Sequence, residues 1–128
     1  MKPDERDLAY LWDMLDAAQR IVRLTAGMEY AAFVDDERTY LAVERLLESI
    51  GEAARYVSPS LQQRHSEIPW QGIIGMRNVL AHQYGVVDQR KVWHAAKDGI
   101  AKLIPMLEAC TAYISSDIVP PETKPETK

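Results

Sequence analysis

Residues 77–84 read RNVLAHQY, which sets Arg77, Asn78, His82 and Tyr84 within eight positions of an otherwise apolar segment. Each group brings a distinct capability. The Arg77 guanidinium is a rigid fork of donors, matched to a phosphate and to the extra charge of its displacement transition state. The His82 imidazole, unperturbed near pKa ~6.5, gives or takes a proton near neutral pH. Asn78 can orient that imidazole or hold a phosphate oxygen, and Tyr84 adds a phenolic hydroxyl. Such a set suits cleavage of a phosphodiester without a metal, provided the substrate carries its own nucleophile. RNA does, in its 2′-hydroxyl, and DNA does not.

On an ideal helix, Tyr84 falls about 20° from Arg77 and His82 about 40° from Asn78, the two pairs pointing over ~100° apart. The reach of the arginine and a helix loosened near Gly85 would let all four line one pocket, but spacing alone does not require it. Two readings therefore stay open on the residues themselves. One is a capped, solvated helix terminus, which such residues serve more often; the other is an active site.

The elements that must position these groups read as helices. Leu8, Leu11, Trp12, Leu15, Ala18 and Val22 recur at three- and four-residue steps, the mark of one buried helical face. Asp4 is placed to cap this helix, Glu5 and Asp7 suit the positive end of its dipole, and Gly27 lies near its end. Asp35 and Asp36 offer caps for a second helix along Tyr40, Val43, Leu47, Ile50, Ala54 and Val57, with Leu46 broadening the face. Pro59 biases Ser58 away from helical angles and stops it. A short polar piece, LQQRHSE, follows with one or two turns.

Pro69 fits the first turn of the helix that carries the motif, which runs toward Gly85. Gly72 and Gly75 each cost that helix up to ~1 kcal/mol relative to alanine, a cost that close approach of another backbone, including one from a second subunit, would offset. Asp88 caps a further helix with Val92, Trp93, Ala96, Ile100, Leu103 and Leu107 as its stripe, and Pro105 should kink it. The expected fold is all-α, an up-and-down bundle of four to five helices with a kinked last helix, over residues 1–118. The tail, 119–128, ends PPETKPETK and reads as disordered.

Composition narrows the function classes. The chain has 128 residues, 47% hydrophobic and 27% charged, the balance of one globular domain. No apolar run reaches the ~18–20 residues needed to span a bilayer, and the charged MKPDERD start lacks a secretory signal. The lone Cys110 reads as a buried small hydrophobe. These features suit a cytoplasmic protein and no membrane partner. A net charge of −4 argues against general affinity for nucleic acid, though a local basic pocket is compatible with it. Arg64, His65, Arg77, His82, Arg90, Lys91 and His94 fall in one stretch, mostly as solvated surface charges.

Other constellations are weaker. His65, His82 and His94 lack carboxylate or thiolate companions at metal-ligand spacing, so neither metal nor cofactor is expected. GIIG at 72–75 has no flanking strands to make an RNA-clamping loop. There is no phosphate-cradling GxxxxGK and no GxSxG elbow, and Ser58, Ser60 and Ser66 read as loop serines.

RNxxxHxY, filled by Arg77, Asn78, His82 and Tyr84, resembles the motif of the HEPN superfamily and, within it, the HepT-like toxins. RTYLAVERLLESIGEAAR at 38–55, IPW at 68–70 leading into GMRN, and VWHAAKDGIAKLIPML at 92–107 are similar to the same branch. The resemblance spans most of residues 8–115. It implies a HEPN-like helical homodimer whose motif helices meet near the two-fold axis in one composite cleft. It implies a metal-independent endoribonuclease, the toxin of a type VII-like toxin–antitoxin pair. The implied partner is an MntA-like nucleotidyltransferase antitoxin that silences the toxin by attaching AMP to the motif tyrosine. By position, His82 is then the general acid/base, Arg77 stabilises the phosphorane, Asn78 orients, and Tyr84 is the modified residue. The rival expectation is a non-catalytic helical dimer module that binds a nucleotide or a nucleotidyltransferase.

Overall fold

The computed structural model describes residues 3–81 and 88–118, and the expected tail at 119–128 lies outside them. The described residues form helices joined by short connections, with no strand among them. Helix α1 spans Pro3–Thr25, α2 Tyr30–Asp35, α3 Glu37–Tyr56, α4 Pro59–Arg64 and α5 Trp70–Ala81. After the undescribed span, α6 runs Gln89–His94, a π-helical turn covers Ala95–Gly99, and α7 runs Ile100–Ile118. None of these helices is long and apolar enough to cross a membrane.

The core is one cluster. It joins Leu11, Met14, Ala18 and Ile21 of α1, Val43, Leu47 and Ile50 of α3, and Ile100, Leu103, Leu107 and Ile114 of α7. Helix α1 packs chiefly against α3 and α7, and α3 also against α5, an all-α bundle of the expected class. Its central helices run antiparallel. Near the start of α1, the Asp7 carboxylate accepts the Ser58 backbone N–H at 2.9 Å and the Ser58 hydroxyl at 2.6 Å, at the far end of α3. At the other end of α1, the carbonyl of Thr25 accepts Lys97 Nζ at 3.1 Å. The 18-residue separation places these two ends roughly 27 Å apart.

Local chemistry explains most boundaries. Gly27 has φ +75, the left-handed turn that lets the chain leave α1 without a Cβ penalty. The Asp36 side chain accepts the Thr39 N–H and caps α3, as expected. Val57 and Ser58 are extended ahead of Pro59, which opens α4 under the Ser58 cap. Helix α7 passes through Pro105. Ahead of it, the Ile100 N–H reaches back to the Ala95 carbonyl and adds one residue to that turn.

Several expectations need correction. Trp12 is 50% exposed and Val22 45% exposed, so neither belongs to the buried face of α1. That face is centred on Leu11, Met14, Ala18 and Ile21, and Trp12 lies about 100° from its neighbour Leu11. Helix α1 already includes Pro3, which puts Asp4 inside the first turn rather than at the cap. Asp7 is 3% exposed and binds across the bundle to Ser58 instead of facing its own helix dipole. Pro69 precedes α5, its carbonyl accepting the Ile73 N–H at 3.0 Å. Helix α2 was not expected. Its six residues carry one fully buried side chain, Phe33, which is too little for a periodic pattern.

Candidate functional site

Helix α5 starts at the α4 end of the bundle, where the Trp70 indole donates to the His65 carbonyl at 3.1 Å. From there it climbs α3. Gly72, Ile73 and Met76 share an apolar cleft with Ile50 and Leu47, so the C-terminal part of α5 heads for the N-terminal half of α3. Arg77 and Asn78 lie on this part of α5. His82 and Tyr84 lie outside the described residues, as does the expected helix end near Gly85.

The described structure resumes at Asp88. The Asp88 carboxylate accepts the backbone N–H groups of Arg90 at 3.0 Å and Lys91 at 3.3 Å, capping α6 as expected. Gln89 then donates to the Glu44 carboxylate at 2.7 Å and pins the start of α6 to α3. The two helices flanking residues 82–87 therefore both attach to α3, one beside Leu47 and the other at Glu44. These are adjacent turns of one helix.

Beside this point lies a cluster of aromatic and cationic side chains. Phe33 of α2 packs at 5.0 Å from Trp93 of α6 and at 6.3 Å from Tyr40 of α3. Tyr30 meets Trp93 edge-on at 6.3 Å, and the Arg90 guanidinium lies over the Tyr30 ring at 4.1 Å. Lys97 completes it, its ammonium 5.4 Å from the centre of the Trp93 ring. The sequence marks Arg90 only as one charge among several. Its partner Tyr30 belongs to the helix that periodicity does not reveal.

The remaining histidines are well separated. His94, exposed on α6, has Nδ1 3.4 Å from the Asp98 carboxylate. His65 sits at the opposite end of the bundle, edge-on to Tyr113 at 5.5 Å, with Nδ1 3.7 Å from Glu67. Cys110 is buried at that same end, as expected. Burial, with smaller contributions from Glu67 and Asp7, pushes its thiol from near 9.0 up to about 11, partly offset by Arg64. It stays a protonated, unreactive hydrophobe at neutral pH.

The cleft shared by α3 and α5 extends to the π turn and α7. It encloses about 160 Å³ and is lined by Leu47, Ile73, Met76 and Leu103 together with Gly72 and Gly99. A Cβ added at Gly72, Gly75 or Gly99 would meet nothing within 4 Å. Contacts among the described residues therefore do not account for these glycines.

Comparison with known proteins gives a consistent result. The model of a family described as Ribonuclease HepT-like matches residues 14–110, a span that contains all four motif residues. A provisionally named RNase of Methanocaldococcus jannaschii is 33% identical over 100 residues, covering 77% of this chain and 92% of the relative. The "Probable ribonuclease HepT" of Thermococcus cleftensis is 37% identical over 103 residues, covering 80% and 92%. A provisionally named RNase of Caldanaerobacter subterraneus is 35% identical over 99 residues, covering 77% and 85%. No solved structure matches the chain at comparable significance.

Proposed function

Since the chain belongs to the HepT-like ribonuclease family and is a ribonuclease by that membership, we propose that it is the RNA-cutting toxin of a toxin–antitoxin pair. The observation that carries this reading is the family match over 14–110, with Arg77 and Asn78 on the helix that leads into His82 and Tyr84. In the proposed reaction the 2′-hydroxyl attacks the adjacent phosphorus as a histidine removes its proton. The 5′-oxygen leaves with a proton from a second acid. Arg77 binds the phosphorane's extra charge and Asn78 orients. The products are a 2′,3′-cyclic phosphate and a 5′-hydroxyl.

A second copy of the chain supplies the second histidine, so the working unit is a homodimer with a composite site. The apolar cleft along α5 and the open space over Gly72, Gly75 and Gly99 support such a close approach. The off switch is Tyr84. AMP attached there by a cognate MntA-like nucleotidyltransferase adds bulk and negative charge beside Arg77 and His82 and repels the RNA backbone.

The decisive experiment compares wild type with His82→Ala for RNA cleavage and for growth arrest in cells. Wild type is expected to release cyclic-phosphate ends in the presence of EDTA, and His82→Ala to lose at least ~10²-fold in rate. Products ending in a 3′-hydroxyl would exclude this chemistry, and a wild type inert in both assays would favour a non-catalytic binding module. Tyr84→Phe should stay toxic when the antitoxin is co-expressed. Full neutralisation of that variant would replace modification by simple complex formation.

A further inference from the structure

We propose that Arg90, held over the ring of Tyr30, is a stacking platform for an unpaired base of the RNA substrate. The inference rests on the ribonuclease reading and adds to it a substrate class, single-stranded RNA, and a positioning residue.

Three observations carry it. The first is preorganisation. An arginine side chain on a helix surface ordinarily samples many rotamers, but this guanidinium lies 4.1 Å above the Tyr30 ring while Arg90 as a whole stays exposed. The guanidinium is thus held over the tyrosine ring while the residue remains accessible to solvent. Tyr30 is itself supported from below, edge-on to Trp93 at 6.3 Å, and Trp93 packs at 5.0 Å on the fully buried Phe33. The aromatic contacts therefore run from the hydrophobic core outward and end in an exposed guanidinium, a planar cation on which unpaired bases can stack.

The second is position. Gln89, bonded to Glu44 at 2.7 Å, sets the start of α6 on α3, one turn from Leu47, which shares a cleft with Met76. Arg90 follows at the next position, two residues after Asp88. Arg90 therefore stands beside the turn of α3 that the C-terminal part of α5 approaches.

The third is charge. The protein carries a net charge of −4, which leaves little general attraction for a polyanion. The exposed Arg90 and Lys91 are consecutive, and the Asp88 carboxylate between them and the motif accepts their backbone N–H groups. A local cationic step with a π face offers what the overall charge does not, and it discriminates. A duplex keeps its base faces stacked inside and cannot present one to Arg90, whereas a single strand can.

The test measures binding of three strands by the full-length protein with its motif intact. The strands are a mixed-sequence single-stranded RNA 2′-O-methylated throughout, so that it lacks the nucleophile, the same strand with abasic positions, and its duplex form. The proteins are wild type, Arg90→Lys, which keeps the charge but loses the plane, and Tyr30→Leu, which removes the support. Both substitutions are expected to weaken binding of the base-bearing single strand about tenfold and to leave the abasic strand unchanged. The duplex should bind wild type no better than the abasic strand does. Equal weakening on base-bearing and abasic strands would reduce Arg90 to a phosphate contact and overturn the proposal. So would a lowered melting temperature with unchanged RNA binding, which marks a clamp between α2 and α6. A variant that keeps RNA binding but releases a nucleotidyltransferase partner would overturn it in favour of a protein interface. Cleavage of unmodified RNA by wild type and by Arg90→Lys at equal rates and equal KM would sink the platform while the ribonuclease reading stands. A wild type that neither cuts nor binds RNA would sink both.

Discussion

Asp7 shows how one side chain can tie two distant parts of this bundle together. Its carboxylate is almost fully buried and receives both donors of Ser58, which caps α4 in turn by accepting the Leu61 N–H. Removing it would leave the half-buried Ser58 N–H and hydroxyl without their charged acceptor, at a cost of about 1–3 kcal/mol. Asp7→Ala should therefore lower the unfolding free energy by that amount in denaturant titration, and Asp7→Asn, which keeps one acceptor oxygen, by less. Equal stability of wild type and Asp7→Ala would mean that water replaces the carboxylate freely. Neither variant should change RNA cleavage, because Asp7 lies at the α4 end, roughly 27 Å along α1 from the α2 and α6 end.

Helix α5 poses a problem at the next scale. It carries the motif arginine and asparagine, yet it contains Gly72 and Gly75, and a Cβ at either would meet nothing within 4 Å among the described residues. In a lone chain Gly75→Ala should stabilise α5 by up to ~1 kcal/mol, about 4 °C in melting temperature at concentrations where the protein is monomeric. If a second copy packs on this helix, Gly75→Leu should shift sedimentation toward monomer and reduce cleavage in parallel. A Gly75→Leu protein that remains dimeric would place the subunit contact elsewhere. The cap of α6 can be tested independently. Asp88→Ala should cost about 1 kcal/mol by freeing the Arg90 and Lys91 N–H groups, with Asp88→Ser largely restoring it.

Among the described residues, the polar contacts that join different elements gather at two ends of one apolar core. The α4 end holds Asp7, Ser58, His65 and Cys110, while the α2 and α6 end holds Tyr30, Glu44, Gln89 and Arg90. Cys110 makes the packing of the first end measurable through pH. Its thiol is raised from near 9.0 to about 11, so between those values the unfolded chain has released a proton that the folded one keeps. The native state binds more protons there, and stability must fall as pH rises from about 9 to about 11. Below 9 the contribution is fully present. The difference in unfolding free energy between wild type and Cys110→Ala, followed across that window, isolates it from tyrosine and lysine titration. A difference that stays constant through the window would show that the thiol is not held from solvent as described.

Much of this protein is determined by local sequence. Stripes at three- and four-residue steps mark α1, α3 and the α6–α7 run, and Asp36, Pro59 and Asp88 mark boundaries, because capping and periodicity act within a few positions. The same locality marks RNVLAHQY as a candidate for chemistry, but its residue types and spacing also fit a solvated helix terminus. It is the resemblance to the HepT-like motif that favours the first reading. Periodicity locates the centre of a buried face but not its edges, and so Trp12 and Val22 read as buried although they face solvent. What tertiary structure alone decided is which distant residues meet: Asp7 with Ser58, Gln89 with Glu44, Arg90 with Tyr30. None of these pairs leaves a trace in spacing. The partners of each pair lie on separate elements, and how these settle against one another is set by the packing of the whole core.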